Sequence, residues 1–417
     1  MTCSCFQALI VALGLVAGLQ LLYLALLSGL HGQEQRSRHA QLFQAQRPLP
    51  SHGQKQRLKP VLASGGTLDI SGQYRIYRDM LRASWDGRDR QDVVLVTHTS
   101  LGNLHHAQQL VERWRGPVSV ALFAPGLDDV RLATAMVYAL AVLCAPVRQL
   151  LRLHLVCHAD QMAAFPEQER EDGEFSRLQA CGDVFAKLAQ LGAGQRNYAM
   201  DTANASYPNN LLRNVAREAA GGHWVLVVDM DMVPSEGLRE DFLALPKATD
   251  EGTPRVFVVP AFEIRHTRRI PATKAELVQL YQVGEIRPFY EELCPRCQAP
   301  TNFSHWLNLP MGSSLRVAYE VEWRDPWEPF YVGANSVPPY DEHFKQYGFN
   351  RISQACELHI AGYRFAVLSN AFLVHKGFKV AGEFHAQKDA ENQRNKILFR
   401  QFKHELKSKY PDSPRRC

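Results

Sequence analysis

Two carboxylates, Asp229 and Asp231, stand one residue apart where the apolar run Trp224-Val-Leu-Val-Val ends. A buried strand does not ordinarily close on two acids, because each must reach water or find a partner. Transfer from a sugar nucleotide supplies a reason for them. Its leaving group is a nucleoside diphosphate, which gains negative charge as the glycosidic bond breaks. A hard divalent cation across the two phosphates stabilises that charge as a Lewis acid. Carboxylate oxygens, with one imidazole, suit Mn2+ or Mg2+. At a strand-to-loop corner one carboxylate can hold the cation while the other meets ribose and metal-bound water. The tripeptide alone could be a strand cap; its place after a buried strand argues for the metal. The two acids are too close in sequence to flank a sugar from opposite faces, which disfavours a glycosidase.

Other side chains could complete such a site. His375 sits at the end of the apolar stretch Ala371-Phe-Leu-Val, where it reads as a third metal ligand or as a solvated surface residue. Lys376 and Lys379 follow it as cations for the diphosphate or as ordinary surface charges. Asn209, Asn210 and Arg213 open a helical stretch just ahead of the metal strand. Helix N-terminal amides and a guanidinium fork suit phosphate, ribose or a sugar carboxylate, although asparagine also caps helices. Thr97 and His98 end an earlier strand, a position where a uracil could be received.

The elements that must hold these residues are legible in the pattern. Apolar runs at Asp92–Thr97, Pro117–Ala124, Leu151–Cys157 and His223–Asp229 read as buried strands. Helical spacing follows them over 101–115, 130–143, 175–191 and 210–218. Near-continuous apolar strands alternating with helices predict an α/β fold, a mostly parallel sheet covered on both faces. Ligands in such sheets bind beyond the carboxyl ends of the strands, where Asp229 and Asp231 fall.

The amino terminus speaks to compartment. Phe6 to Leu30 carries no charged side chain, and at about 1.5 Å per residue it is long enough for a bilayer core of roughly 30 Å. It reads as a retained signal anchor, since no small-residue cleavage pattern follows it. The expected order is a tail over 1–5, a span over 6–30, a polar stem over 31–60 and a lumenal body over 61–417. The body's length calls for two packed lobes, about 61–265 for the nucleotide sugar and about 266–417 for the acceptor. A single-pass type II protein of the Golgi membrane is the corresponding expectation. Asn204 and Asn302 head two N-glycosylation acceptors. Of nine cysteines, Cys3 and Cys5 precede the span and seven lie in the body. That odd number predicts a few disulfides and one leftover thiol, with a local bridge across Cys294-Pro-Arg-Cys297 in place of zinc. A net charge of +5 over 417 residues suits anionic ligands and does not call for nucleic acid.

Beyond these patterns, Ser206–Asn214, Val228–Gly237, Leu277–Gly284, Asp325–Tyr331, Tyr347–Glu357 and Phe372–Phe378 closely resemble stretches of glycosyltransferase family 49. The resemblance runs from the anchor to the terminal cysteine. It implies an A-type glycosyltransferase fold, a Rossmann-like mixed sheet with the Asp-x-Asp corner, and a histidine ligand at the position of His375. It also implies transfer of glucuronate from UDP-glucuronate to a β-linked xylose on O-mannosyl glycans of alpha-dystroglycan. The product would be extended by LARGE, a related bifunctional xylosyl- and glucuronyltransferase. An α-linked donor and a β-linked product imply inversion, so one carboxylate must take the proton of the acceptor hydroxyl. Asp341, Glu342, Glu328 and Glu357 are candidates. Asp341, where the acceptor loop should close, is favoured narrowly over Glu328. Glu328 lies between Trp327 and Pro329 in an aromatic stretch suited to stacking on a sugar, and Glu357 reads as a structural helix residue. The rival readings are an N-acetylglucosaminyltransferase with the same metal site and a non-catalytic lumenal lectin or chaperone.

Overall fold

Strands buried on both faces must be apolar at nearly every position, and three segments meet that demand. Val93–Ser100, Val118–Ala124 and Leu151–His158 contain no exposed residue. They form the middle of the large sheet in the computed structural model, which describes residues 16, 18–20, 51–85, 92–164, 178–193, 206–246, 254–312, 314–380, 382 and 387–417. The strands there, in chain order, are β1 (Thr67–Leu68), β2 (Tyr74–Leu81), β3 (Val93–Ser100), β4 (Val118–Ala124) and β5 (Leu151–His158). Next come β6 (Trp224–Val227), β7 (Met232–Pro234), β8 (Arg255–Val258), β9 (Ala261–Ile264) and β10 (Ile286–Pro288). The last are β11 (Val317–Val321), β12 (Tyr331–Ala334), β13 (Arg364–Leu368) and β14 (Leu373–Lys376).

The large sheet has the order β1-β2-β5-β4-β3-β6-β12-β8-β13-β11, and a small sheet has the order β10-β9-β14-β7. β5, β4, β3 and β6 run parallel, as their apolar sequences predict. β12 enters antiparallel between β6 and β8, so the fold is a mixed α/β sheet. Strands from both sides of residue 265 share the large sheet, so the expected lobe boundary there does not divide the sheet. Residues 48–417 form one compact unit. The body also begins ahead of residue 61. The helix Ser51–Ala63, expected as stem as far as residue 60, buries Leu58 within that stretch and Leu62 just beyond it. The expected span over 6–30 lies almost wholly outside the described residues, and among those described no helix is long and apolar enough to cross a membrane. Asn204 also lies outside them.

Three chain segments leave the large sheet for the small one: β6 to β7, β8 to β9 and β13 to β14. The first of these turns is Val228-Asp229-Met230-Asp231. β14 pairs with β7 in a register that sets His375 opposite Met232, so His375 lies beside Asp231 because of strand pairing.

The helix Asn209–Glu218 backs the parallel strands, with Leu211, Leu212 and Val215 in the core beneath β3 and β6. Asn210, Asn214 and Arg217, at i, i+4 and i+7, share a face. Asn210 donates to the carbonyls of Asp341 at 2.8 Å and Asn350 at 3.3 Å. Asn214 brackets Tyr340, donating to its carbonyl at 2.8 Å and accepting its N–H at 3.0 Å. Arg217 donates to the carbonyls of Asn335 at 3.2 Å and Pro338 at 3.0 Å. One helix face therefore fixes the chain that runs from residue 335 to 342.

Six of the seven body cysteines pair as Cys144–Cys181, Cys294–Cys297 and Cys356–Cys417, and Cys157 is a buried free thiol. The local bridge and the leftover thiol match the sequence expectation. The third bridge ties the last residue to the helix Asn350–Ile360 across a separation of 61 residues. Closing a loop of that length contributes about 4 kcal/mol in the chain-entropy account. Cys417→Ser is therefore expected to lower unfolding stability by about that amount, measurable by denaturant titration under non-reducing conditions; an unchanged midpoint would refute this role.

Candidate active site

Asp229 follows β6 and is caught between two guanidinium groups. Arg213 Nη2 donates to Oδ1 and Arg351 Nη1 to Oδ2, each at 3.0 Å. Arg213 comes from the helix Asn209–Glu218 and is oriented by a 2.9 Å bond from Nη1 to Asn210 Oδ1. Arg351 comes from the helix Asn350–Ile360 and lies over the Phe330 ring at 4.2 Å. His98 Nε2 approaches Asp229 Oδ1 at 3.5 Å. Burial alone would raise the Asp229 pKa, but Arg351, His98 and Arg213 hold it well below the usual carboxylate range. Asp229 is a fixed anion whose two oxygens both have cationic partners.

Asp231 is different. Its side chain is 40% exposed, and its Oδ2 lies 3.1 Å from His375 Nε2. The other ring nitrogen, Nδ1, is 2.7 Å from the carbonyl of Gly377. A carbonyl only accepts, so Nδ1 donates to it, and the ring is held with Nε2 toward the Asp231 carboxylate. A backbone carbonyl behind the far nitrogen is the arrangement that orients metal-binding histidines. Gly377 is required there: its φ is +103°, and any side chain would strike the His266 ring. Against the effect of burial, His375 and Lys379 hold the Asp231 carboxyl low. One carboxylate oxygen and one imidazole nitrogen thus converge as a donor pair that fits Mn2+ or Mg2+. Among the described residues no three His, Cys, Asp or Glu side chains form a ready metal cage; Asp229 is turned toward the arginines instead.

Asp229 also lines a cavity of about 590 Å³. Arg213, Arg351, Tyr290, Glu328 and Tyr347 line it, with Lys388, Lys396, Arg400 and Lys403 from the helix Lys388–Lys409. Glu328 is buried, with Oε2 3.4 Å from Arg351 Nη2. Burial raises its pKa despite Arg351, which favours a group that accepts a proton.

The remaining expected residues sort by location. Thr97 and His98 lie inside β3, which runs on to Ser100, and both are buried. His98 shares a 2.8 Å hydrogen bond with Tyr207, and burial lowers its pKa, keeping the ring neutral beside Asp229. Asn210 is fully buried and grips backbone carbonyls. Lys376 is exposed at the end of β14. Asp341 is not among the cavity-lining residues; its Oδ1 accepts from the His343 N–H at 2.9 Å and lies 2.7 Å from His343 Nδ1. Glu342 accepts from Asn214 at 2.8 Å. Glu357 accepts from Lys409 at 2.7 Å and Tyr410 at 2.9 Å and is structural, as expected. Trp327 is no sugar platform: it is fully buried, 5.2 Å from the Phe365 ring, because its indole N–H bonds to Thr301. Asn302 is exposed and caps the helix Phe303–Asn308 through its side-chain oxygen.

Arg351 and the cations of the last helix were missed from sequence. Lys396, Arg400 and Lys403 stand at i, i+4 and i+7, a one-face spacing that was available as a signal. Arg351 has no such mark, since its partners Asp229 and Glu328 are distant in the chain.

The two carboxylates separate by their roles in stability. Asp229→Asn leaves two buried guanidinium groups facing each other and is expected to cost about 3–5 kcal/mol. Asp231→Asn, on a solvent-screened pair, is expected to cost about 1 kcal/mol or less. Chemical denaturation of both variants checks this; equal losses would contradict the assignment.

Comparison with known proteins identifies the relatives of the chain. The chain is 54% identical to Beta-1,4-glucuronyltransferase 1 of Danio rerio over 428 aligned residues, covering 100% of this chain and 99% of that one. It is 56% identical to the Homo sapiens protein of the same name, covering 100% and 98%. Xylosyl- and glucuronyltransferase LARGE1 of Mus musculus is 28% identical, over 76% of this chain and 35% of that one. Among solved structures, GalNAc-T7 with UDP, GalNAc and Mn2+ aligns over 89% of this chain and 61% of that one, at 10% identity and a TM-score of 0.39. Residues 92–411 match the family model described as glycosyl-transferase for dystroglycan, and the chain belongs to that family, glycosyltransferase family 49.

Proposed function

We propose that this chain is an A-type, inverting, metal-dependent glucuronyltransferase that moves glucuronate from UDP-glucuronate to the 4-position of a β-linked xylose. The observation that carries the reading is the juxtaposition at one corner: the Asp231–His375 donor pair stands two residues on from Asp229, which shares its cavity with Glu328. The full-length relatives named for this activity support it. The acceptor proposed is the xylose-terminated O-mannosyl glycan of alpha-dystroglycan, in line with the family description, and LARGE would extend the product.

Asp231 and His375 would hold Mn2+ or Mg2+, which when bound stabilises the departing diphosphate as a Lewis acid. Asp229 anchors the corner and keeps Arg213 and Arg351 oriented. Glu328, in place of Asp341, takes the proton of the acceptor hydroxyl, because it lies in the cavity wall and burial raises its proton affinity. The cationic face of the helix Lys388–Lys409 makes the cavity attractive to anionic ligands. Residues 6–30 are proposed to anchor the enzyme in the Golgi membrane with its body in the lumen.

A panel of UDP-sugars with Mn2+ and a xyloside acceptor tests the donor: glucuronate transfer is expected, and preferential N-acetylglucosamine transfer would overturn the reading. Glu328→Gln is expected to lower kcat by about 10²–10⁴-fold while Asp341→Asn stays within about fivefold. The reverse pattern would return the base to Asp341. For topology, the secreted-pathway protein is expected to lose mass on endoglycosidase treatment, and Asn302→Gln to lose one glycan. An unglycosylated wild type would contradict a lumenal body.

A further inference from the structure

The Cys294–Cys297 bridge is unexplained by metal binding, yet it stands in the wall of the cavity that holds Glu328. The carbonyl of Cys297 accepts the N–H of Glu328 at 3.0 Å. The next residue, Gln298, is 3% exposed and donates Nε2 to the Glu328 carbonyl at 3.2 Å. Two consecutive residues of the bridged turn therefore hold both main-chain groups of Glu328. The turn is itself placed on both sides. The N–H of Cys294 bonds to the Tyr290 carbonyl at 2.9 Å, and Tyr290, at φ +61°, also faces the cavity. Thr301, just beyond the turn, accepts the indole N–H of Trp327 at 3.0 Å and so fixes the residue before Glu328. The helix Pro295–Gln298 is one turn long, far below the length at which a helix holds itself. The covalent bridge supplies the constraint that length cannot.

We propose that the Cys294–Cys297 disulfide is a positioning element of the active site: closing the turn fixes the Glu328 main chain, and with it the point where the carboxylate meets the acceptor hydroxyl. The proposal rests on the assignment of Glu328 as the base. Neither sulfur touches a reacting atom; both act through Glu328. A displacement of about 1 Å at a reacting group can lower a rate by about 10²-fold, so loosening this turn should act on turnover more than on donor binding.

The test uses the whole chain with Cys294→Ser and Cys297→Ser combined, and separately Gln298→Met, which keeps shape and removes the donor. Turnover, donor KM, UDP affinity with Mn2+ by calorimetry and the melting temperature are measured. The expected result is a kcat lower by about tenfold or more in the double variant, with donor KM and UDP affinity within about twofold. Gln298→Met should shift kcat in the same direction by a smaller factor, and it decides the matter if the double variant does not fold. A kcat within about twofold of wild type in the folded variants, with Glu328→Gln inactive, overturns the positioning role and leaves the base assignment standing. An active Glu328→Gln overturns the base assignment instead, and the proposal with it.

Discussion

The corner of this enzyme depends on one partly buried anion held between two buried cations. Asp229 takes a 3.0 Å contact from Arg213 on one oxygen and from Arg351 on the other. A lone carboxylate there would be neutralised by protonation, and two guanidinium groups without it would repel across a few ångströms. Together they join the end of β6, the helix Asn209–Glu218 and the helix Asn350–Ile360 in one electrostatic knot. Glu328 beside Arg351 adds the second negative charge, so the four groups balance with no excess buried charge. The residue that marks a metal corner in sequence thus serves first to hold the surrounding elements in place.

That knot works because of where the two sheets meet. Three segments cross from the large sheet to the small one, and the Asp229–Asp231 turn lies on the first crossing. The pairing of β14 with β7 brings His375 to Asp231 without any sequence proximity. Asp231 meets His375, while Asp229 and Glu328 line one and the same cavity.

The helix Asn209–Glu218 carries two tasks on one face. Arg213 serves the corner, while Asn210, Asn214 and Arg217 grip the chain from residue 335 to 342. This explains why Asn210 is not left for a ligand: its amide is consumed by two carbonyls. The same logic removes Asp341 from the cavity, since that chain is pinned by its backbone and its side chain turns to His343.

Local sequence determined much of this protein. The apolar runs at Val93, Val118, Leu151 and Trp224 became the parallel strands because burial on both faces demands uninterrupted apolar character. The helix before the metal strand, the Asp-x-Asp corner and the local cysteine bridge were equally legible, being set by neighbours within a few residues. Tertiary structure alone decided the antiparallel entry of β12, the sharing of one sheet across residue 265 and the folding of Ser51–Ala63 onto the body. It also decided that Asp229 faces arginines while Asp231 faces His375, that Thr97 is buried, and that Glu328 and not Asp341 lines the cavity. Each of these depends on partners outside the local stretch or on strand register, and spacing along the chain carries no record of either. Which way a carboxylate points is fixed by the charges that reach it, and those charges arrive only when the chain has folded.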